Sequence, residues 1–228
     1  IAIHSPYSVH PFLVRETLKL AREEQLSVSS HFLESPEESL WLNEDKGAFL
    51  DFFKNFLGQE KAVTKPMEFL NLFSNIKNLS FTHCVEVKDE EIEKIKSLGA
   101  TINHCVTSNR ILNNSKLDLS KLKDIPFSIG TDGLSSNNSL SMFDELRNVL
   151  ITHWEKNIID FSKVLLKSAT VNPAISMGLN KGVIEKEFDS DMIAFTLPDE
   201  IEDKDDLAMQ IILHTKFVDK TIIGGEFV

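Results

Sequence analysis

Short apolar runs of strand character alternate with helical segments along most of this chain, and that alternation constrains the fold more than any other feature. It is the pattern of parallel strands joined by crossover helices. The runs are Ile1-Ala2-Ile3, Leu26-Ser27-Val28-Ser29-Ser30, Leu79-Ser80-Phe81-Thr82, Ala100-Thr101-Ile102-Asn103 and Pro126-Phe127-Ser128-Ile129-Gly130, each ending at a polar or ionisable residue. Between them, Ser35-Pro36-Glu37-Glu38 carries a capping serine, a proline at the first helical position and a glutamate placed to close a capping box, so a helix is expected to start there. Val87, Ile92, Ile95 and Leu98 recur at helical spacing, and Gly99 supplies a stop before the next strand. Further helices are expected over residues 66–76, 141–156 and 161–168. After Gly182 the pattern changes to strand-like pieces at 192–197, 209–213 and 218–224, separated by an acidic loop over 199–206 that reads as a solvated surface.

The ionisable residues fall at telling places. His4, His31, His83, His104 and Asp132 each lie at the C-terminal end of a different expected strand. In a (βα) barrel those ends converge on one mouth, where active sites are built. Period-two alternation would put the side chains of His83 and Cys84, and of His104 and Cys105, on opposite faces, with the cysteines packed outward against helices. His31 and Glu34 form an H-x-x-E at a strand end. Neutral imidazole suits zinc, and a nearby carboxylate can shuttle protons, although Glu34 could equally assist the helix that Ser35 starts. In Ile129-Gly130-Thr131-Asp132-Gly133 a strand delivers an aspartate among small residues, which suits a carboxylate set against a metal and its water, or an ordinary Asp-Gly turn.

Composition sets the outer bounds. A chain of 228 residues with 42% apolar content can bury a sizeable core. A net charge of -11 repels phosphate backbones and anionic membrane surfaces, so neither nucleic acid nor membrane is an expected partner. Two cysteines, Cys84 and Cys105, form no CxxC and read as reduced thiols of a cytoplasmic protein. No apolar window is long enough to span a bilayer, and no signal peptide opens the chain.

The segments HSPYSVHP, SSHFLESPEES, FTHCV, NHCVTSNRIL and GTDGLSSNNSLSMFDELR, in that order, resemble the amidohydrolase superfamily. The likeness is to the branch holding S-adenosylhomocysteine, methylthioadenosine and aminofutalosine deaminases, guanine deaminases and triazine chlorohydrolases. It covers nearly the whole chain, since Ser168-Ala169-Thr170, Asn172-Pro173-Ala174 and Asp191-Met192-Ile193-Ala194 resemble that family's last barrel helix and small β-sandwich. The resemblance implies that His31 and Asp132 are ligands of one divalent metal, zinc by preference with iron or manganese as alternatives. It further implies that Glu34 is the proton shuttle, that His83 holds the hydrolytic water and developing charge, and that His4 contacts the ribose side of the substrate. His104 and Asn109 match a structural motif with no catalytic role.

The implied fold is α/β: part of a (βα)8 barrel, about strands 4 to 8, over residues 1–181, followed by a β-sandwich remnant over 182–228. The superfamily's H-x-H pair has no counterpart here, and a barrel takes about 250 residues, so the chain reads as the C-terminal part of an enzyme. Its expected partners are a small-molecule substrate and the segment or second chain that completes the barrel, with a homodimer as the base-rate oligomer. The expected activity is hydrolytic removal of an amino group from an adenosine-like nucleoside. The candidates are 6-amino-6-deoxyfutalosine of menaquinone biosynthesis, S-adenosylhomocysteine and methylthioadenosine. A guanine deaminase or triazine chlorohydrolase is the second expectation and a non-catalytic scaffold the third.

Overall fold

A computed structural model describes residues 1–198 and 200–228, so Asp199, at the head of the expected acidic loop, lies outside the described residues. The chain divides into two compact units, residues 1–104 with 109–127, and residues 105–108 with 128–228. Five strands, β1 (Ala2–Ile3), β2 (Val28–Phe32), β3 (Leu79–His83), β4 (Thr101–His104) and β5 (Phe127–Ile129), follow one another in sequential order. Neighbours are parallel from β1 through β4. The α/β class and the parallel sheet are therefore as expected, each strand lying within a residue or two of its run.

In the first unit, α1 (Pro11–Glu23) connects β1 to β2, a helix that the sequence pattern did not reveal. It starts where the His10 imidazole accepts from Phe12 N, with Pro11 at the first helical position, and buries Val14, Leu18 and Ala21 at i, i+4 and i+7. Strand β2 alternates buried Val28, Ser30 and Phe32 with half-buried Ser29 and His31. Three helices, α2 (Pro36–Glu44), α3 (Ala48–Leu57) and α4 (Pro66–Leu72), lead to β3, and α5 (Asp89–Ser97) leads on to β4. Helix α4 ends at Leu72 with Phe73 as its cap, and Asn75, at a left-handed φ of 63°, keeps the chain from resuming the helix toward the expected end at Ile76. Gly99, at φ 64°, ends the α5 turn as expected. The core between sheet and helices is aromatic: Phe32 lies 6.0 Å from Phe69 and 5.7 Å from Phe81, and Phe73 lies 5.1 Å from Phe81. All four are fully buried, each worth about 1.5–3 kcal/mol of transfer free energy.

Helix α6 (Val106–Ile111) begins in the second unit's residues and ends in the first's. In the second unit, α7 (Met142–Thr152) is capped by Ser141, whose Oγ accepts from Asp144 N at 3.3 Å. Helix α8 (Ile158–Ala169) starts before the expected Phe161 because Asn157 Oδ1 accepts from both Ile159 N and Asp160 N at 3.1 Å. After α9 (Val171–Met177) comes β6 (Met192–Ala194). The expected strand at 209–213 is instead helix α10 (Leu207–His214). A short apolar run does not distinguish the two states, and here burial of Ala208 and Ile212, one helical turn apart, decides. The Arg147 guanidinium donates to Ile212 O and Thr215 O, both at 2.9 Å, closing the C-terminal end of α10. Strand β7 (Lys220–Ile223) pairs antiparallel with β6 on one side and with β8 (Glu226–Phe227) on the other, making a three-stranded sheet.

Candidate active site

Four of the five candidate residues belong to the first unit and meet at the C-terminal ends of β1 to β3. The backbone aligns them: His31 N donates to His4 O at 2.9 Å, and Phe32 is in register with His83. The rings follow. His4 and His31 have centroids 5.1 Å apart, and His31 stacks on His83 at 5.3 Å with the planes 21° apart. Glu34 Oε2 lies 3.6 Å from His83 Nε2, and Glu34 Oε1 accepts from Asn114 Nδ2 at 3.4 Å.

Each imidazole is oriented through its Nδ1. His31 Nδ1 donates to His4 O at 2.8 Å, and His83 Nδ1 donates to Asn109 Oδ1 at 2.8 Å. Both acceptors are oxygens without a proton to give, so the neutral rings carry hydrogen on Nδ1 and present the Nε2 lone pair. His4 Nδ1 is held by Ser8 Oγ at 2.5 Å and Ser5 Oγ at 3.0 Å. Burial, then the neighbouring His31, holds His4 below the ordinary histidine value, with Glu34 pulling the other way.

The strand ends are conformationally unusual. Leu33, His83 and Cys84 have φ of 47°, 72° and 52°, in the left-handed region that side-chain-bearing residues rarely occupy. The expected extended alternation of His83 and Cys84 is therefore corrected: β3 ends at His83, and both side chains are buried, Cys84 within the apolar core. Burial pushes the Cys84 thiol well above its usual pKa, which makes it an inert packing group.

The expected capping box at Ser35 is only half formed. Ser35 Oγ accepts from Glu38 N at 3.2 Å. The Glu38 carboxylate does not return to Ser35 N but turns inward, accepting from Leu33 N at 3.1 Å and Glu34 N at 2.8 Å.

Asp132 belongs to the second unit and has its own shell. It also takes a left-handed φ, 57°, although flexible Gly133 stands next to it. Its Oδ2 accepts from Ser108 Oγ at 2.6 Å and Ser136 Oγ at 3.1 Å, and its Oδ1 from Gly133 N at 2.8 Å. The loop is braced by buried Glu145, which accepts from Thr107 N, Thr107 Oγ1 and Asn137 Nδ2, while Asn137 Nδ2 also donates to Thr131 O at 2.6 Å. Space is tight at Gly130, where a Cβ would sit 3.1 Å from Cys105 Sγ.

Sequence reasoning gave Ser108 no role, Asn109 only a place in a structural motif and Glu38 only that of closing a capping box. Asn109 lies five residues beyond the end of β4, inside the NHCVTSNRIL motif, on the short helix α6. His104 itself is buried at the end of β4.

Imidazole Nε2 and carboxylate oxygen are the donors a borderline divalent ion takes, and the Nδ1 contacts of His31 and His83 are those that orient metal-binding histidines. In type and orientation the residues fit such an ion. In number they fall short, since among the described residues no group of three or more His, Cys, Asp or Glu is placed to hold one.

The Amidohydrolase family model matches residues 1–228. The chain belongs to that family. It is 43% identical over 226 residues to an aminodeoxyfutalosine deaminase of a Nitratiruptor species, covering 99% of this chain and 56% of the relative. It is 35% identical to an adenosine deaminase of Helicobacter pylori, again over 99% of this chain and 56% of the relative. The crystal structure of Helicobacter pylori aminofutalosine deaminase superposes with a TM-score of 0.94 at 33% identity, over 100% of this chain and 58% of that one. The chain thus spans little more than half the length of the relatives it matches. None of the described helices is long and apolar enough to cross a membrane.

Proposed function

We propose that the protein carrying this chain is a metal-dependent hydrolytic deaminase of an adenosine-like nucleoside, with aminodeoxyfutalosine the leading substrate and S-adenosylhomocysteine and methylthioadenosine next. The observation that carries the reading is the His31, His83 and Glu34 cluster: two imidazoles whose Nδ1 atoms are engaged by oxygen acceptors, and a carboxylate 3.6 Å from His83 Nε2. The likeness to named deaminases supports the substrate class.

His31 and Asp132 would hold a divalent ion, zinc by preference or iron or manganese, and that ion supplies an activated water at neutral pH. Asp132 orients the water and takes its proton, its other contacts being fixed by Ser108, Ser136 and Gly133. Glu34 delivers protons to the purine ring nitrogen and to the departing amine, so that water oxygen bonds to the ring carbon as the carbon-nitrogen bond breaks and ammonia leaves. His83 holds the attacking water, and a proton on its Nε2 would meet the charge that develops on the oxygen. His4, fixed by Ser5 and Ser8, hydrogen-bonds the ribose. Residues 1–181 contribute to the barrel and 182–228 to the small sandwich, and the protein acts in the cytoplasm.

Ammonia release from a panel of adenosine-like nucleosides by the zinc-loaded whole protein tests this, with Glu34→Gln and Asp132→Ala as controls. Turnover of one panel member, lowered on the order of 100-fold or more by each substitution, is the expected result. Chloride release from triazines or ammonia from guanine, with none from adenosine-like compounds, would overturn it.

A further inference from the structure

The turn that carries Glu34 poses a problem of local chemistry. Strand β2 ends at Phe32, and the chain reverses through Leu33 at φ 47°, a conformation that costs a side-chain-bearing residue roughly 1–2 kcal/mol. The carbonyls at this point are used by the next segment, since Cys84 N donates to Phe32 O and Glu86 N to Leu33 O. The N–H groups of Leu33 and Glu34 have left the sheet ladder, and a buried N–H without an acceptor is costly. Glu38 meets both. It sits in the first turn of α2, its own N–H tied to Ser35 Oγ, and its two carboxylate oxygens return four and five residues to the two amides. The side chain is buried, and no cation is among the groups that set its charge state. A buried carboxylate without a cation is expensive to keep, and the return visible here is the fixed turn.

We infer that Glu38 is a positioning residue for the proton shuttle, its buried carboxylate clamping the left-handed Leu33–Glu34 turn so that the Glu34 side chain is aimed at His83. This rests on the proposed role of Glu34. The clamp acts through the backbone, so it sets the origin of the Glu34 side chain while leaving its carboxylate free to move protons. Asn114, on the far side, touches the Glu34 carboxylate itself at 3.4 Å and supplies the second point of the alignment.

Two measurements on the whole, zinc-loaded protein test the clamp. The first is amide hydrogen exchange at Leu33 and Glu34 in the wild type, Glu38→Gln and Glu38→Asp. Glutamine keeps the size but turns one acceptor into a donor, and aspartate is one methylene too short. Exchange at one or both amides is expected to quicken on the order of tenfold or more in each variant. Unchanged exchange at both amides overturns the inference, whether or not the protein deaminates any panel compound. The second is steady-state kinetics on the compound that the wild type deaminates. Glu38→Gln should lower kcat on the order of 10- to 100-fold with KM within about twofold, and should add little to the loss already caused by Glu34→Gln. Wild-type kcat in Glu38→Gln, or full additivity in the double variant, refutes the positioning role. If no panel compound turns over in the wild type, the proposed function falls and amide exchange alone decides the clamp.

Discussion

Glu38 also imposes a pH dependence on stability that can be read without any substrate. Burial pushes its carboxyl up from about 4.5 to about 7, against the pull of the Leu33 and Glu34 amides and with the nearby Glu34 charge adding to the rise. Folding therefore favours the protonated form. The stability this gives is fully present below about pH 4.5 and is lost as pH rises through about 7, a span on the order of 3 kcal/mol. Denaturant titrations at pH 5 and pH 8 should show the wild type losing that much more stability than Glu38→Gln over the interval, and parallel curves for the two proteins would contradict it. The same residue shows where sequence reading stops. Ser35-x-x-Glu38 was legible as a capping box, and half of it forms. Whether a glutamate at that position reaches three residues back to its cap or further back into a strand-end turn depends on the φ of Leu33, which leaves no mark on residue type. Asn109 was legible as part of a structural motif, but not as the acceptor for His83, a role that exists only once β3 and α6 lie side by side. The histidines were legible because each terminates a run of strand-forming residues, and His4, His31 and His83 do come together.

At the scale of elements, caps and apolar spacing located β1 to β5, α2 and α5 closely. Helix α1 escaped notice because its cap is a histidine, and α10 was misread because the short, mostly apolar stretch over 209–213 carries no decisive period. The joint between α8 and α9 offers a sharper test of packing. Gly182 has φ 91°, and a Cβ there would lie 2.6 Å from Thr170 O, the carbonyl where α8 gives way to α9. Backbone cannot swing aside as a flexible side chain can. Gly182→Ala should cost about 2–4 kcal/mol, from the left-handed conformation and the contact together, while Gly58→Ala, also at positive φ but with nothing within 4 Å, should cost only the conformational part. Equal losses in thermal or denaturant melts of the two variants would show that the Thr170 contact is not felt.

For the molecule as a whole, the chain spans 56% of the length of its deaminase relatives, and among the described residues no three-donor metal group is present. The chain on its own is therefore expected to bind zinc weakly and to release no ammonia from the nucleoside panel. Calorimetric titration with zinc and an ammonia assay check this, and turnover restored by zinc alone would refute it. The fold class and the family were open to sequence because both rest on ordered local motifs, whereas the bracing of the motifs is a property of the assembled chain. One further consequence lies in the left-handed residues at the strand ends. Leu33, His83, Cys84 and Asp132 occupy backbone states from which the β-branched residues favoured in the neighbouring strands are sterically barred. Random mutagenesis at these four codons should consequently return few functional valines, isoleucines or threonines even where side-chain chemistry would tolerate them. The substitution spectrum there would be narrowed by backbone conformation before catalysis makes any demand.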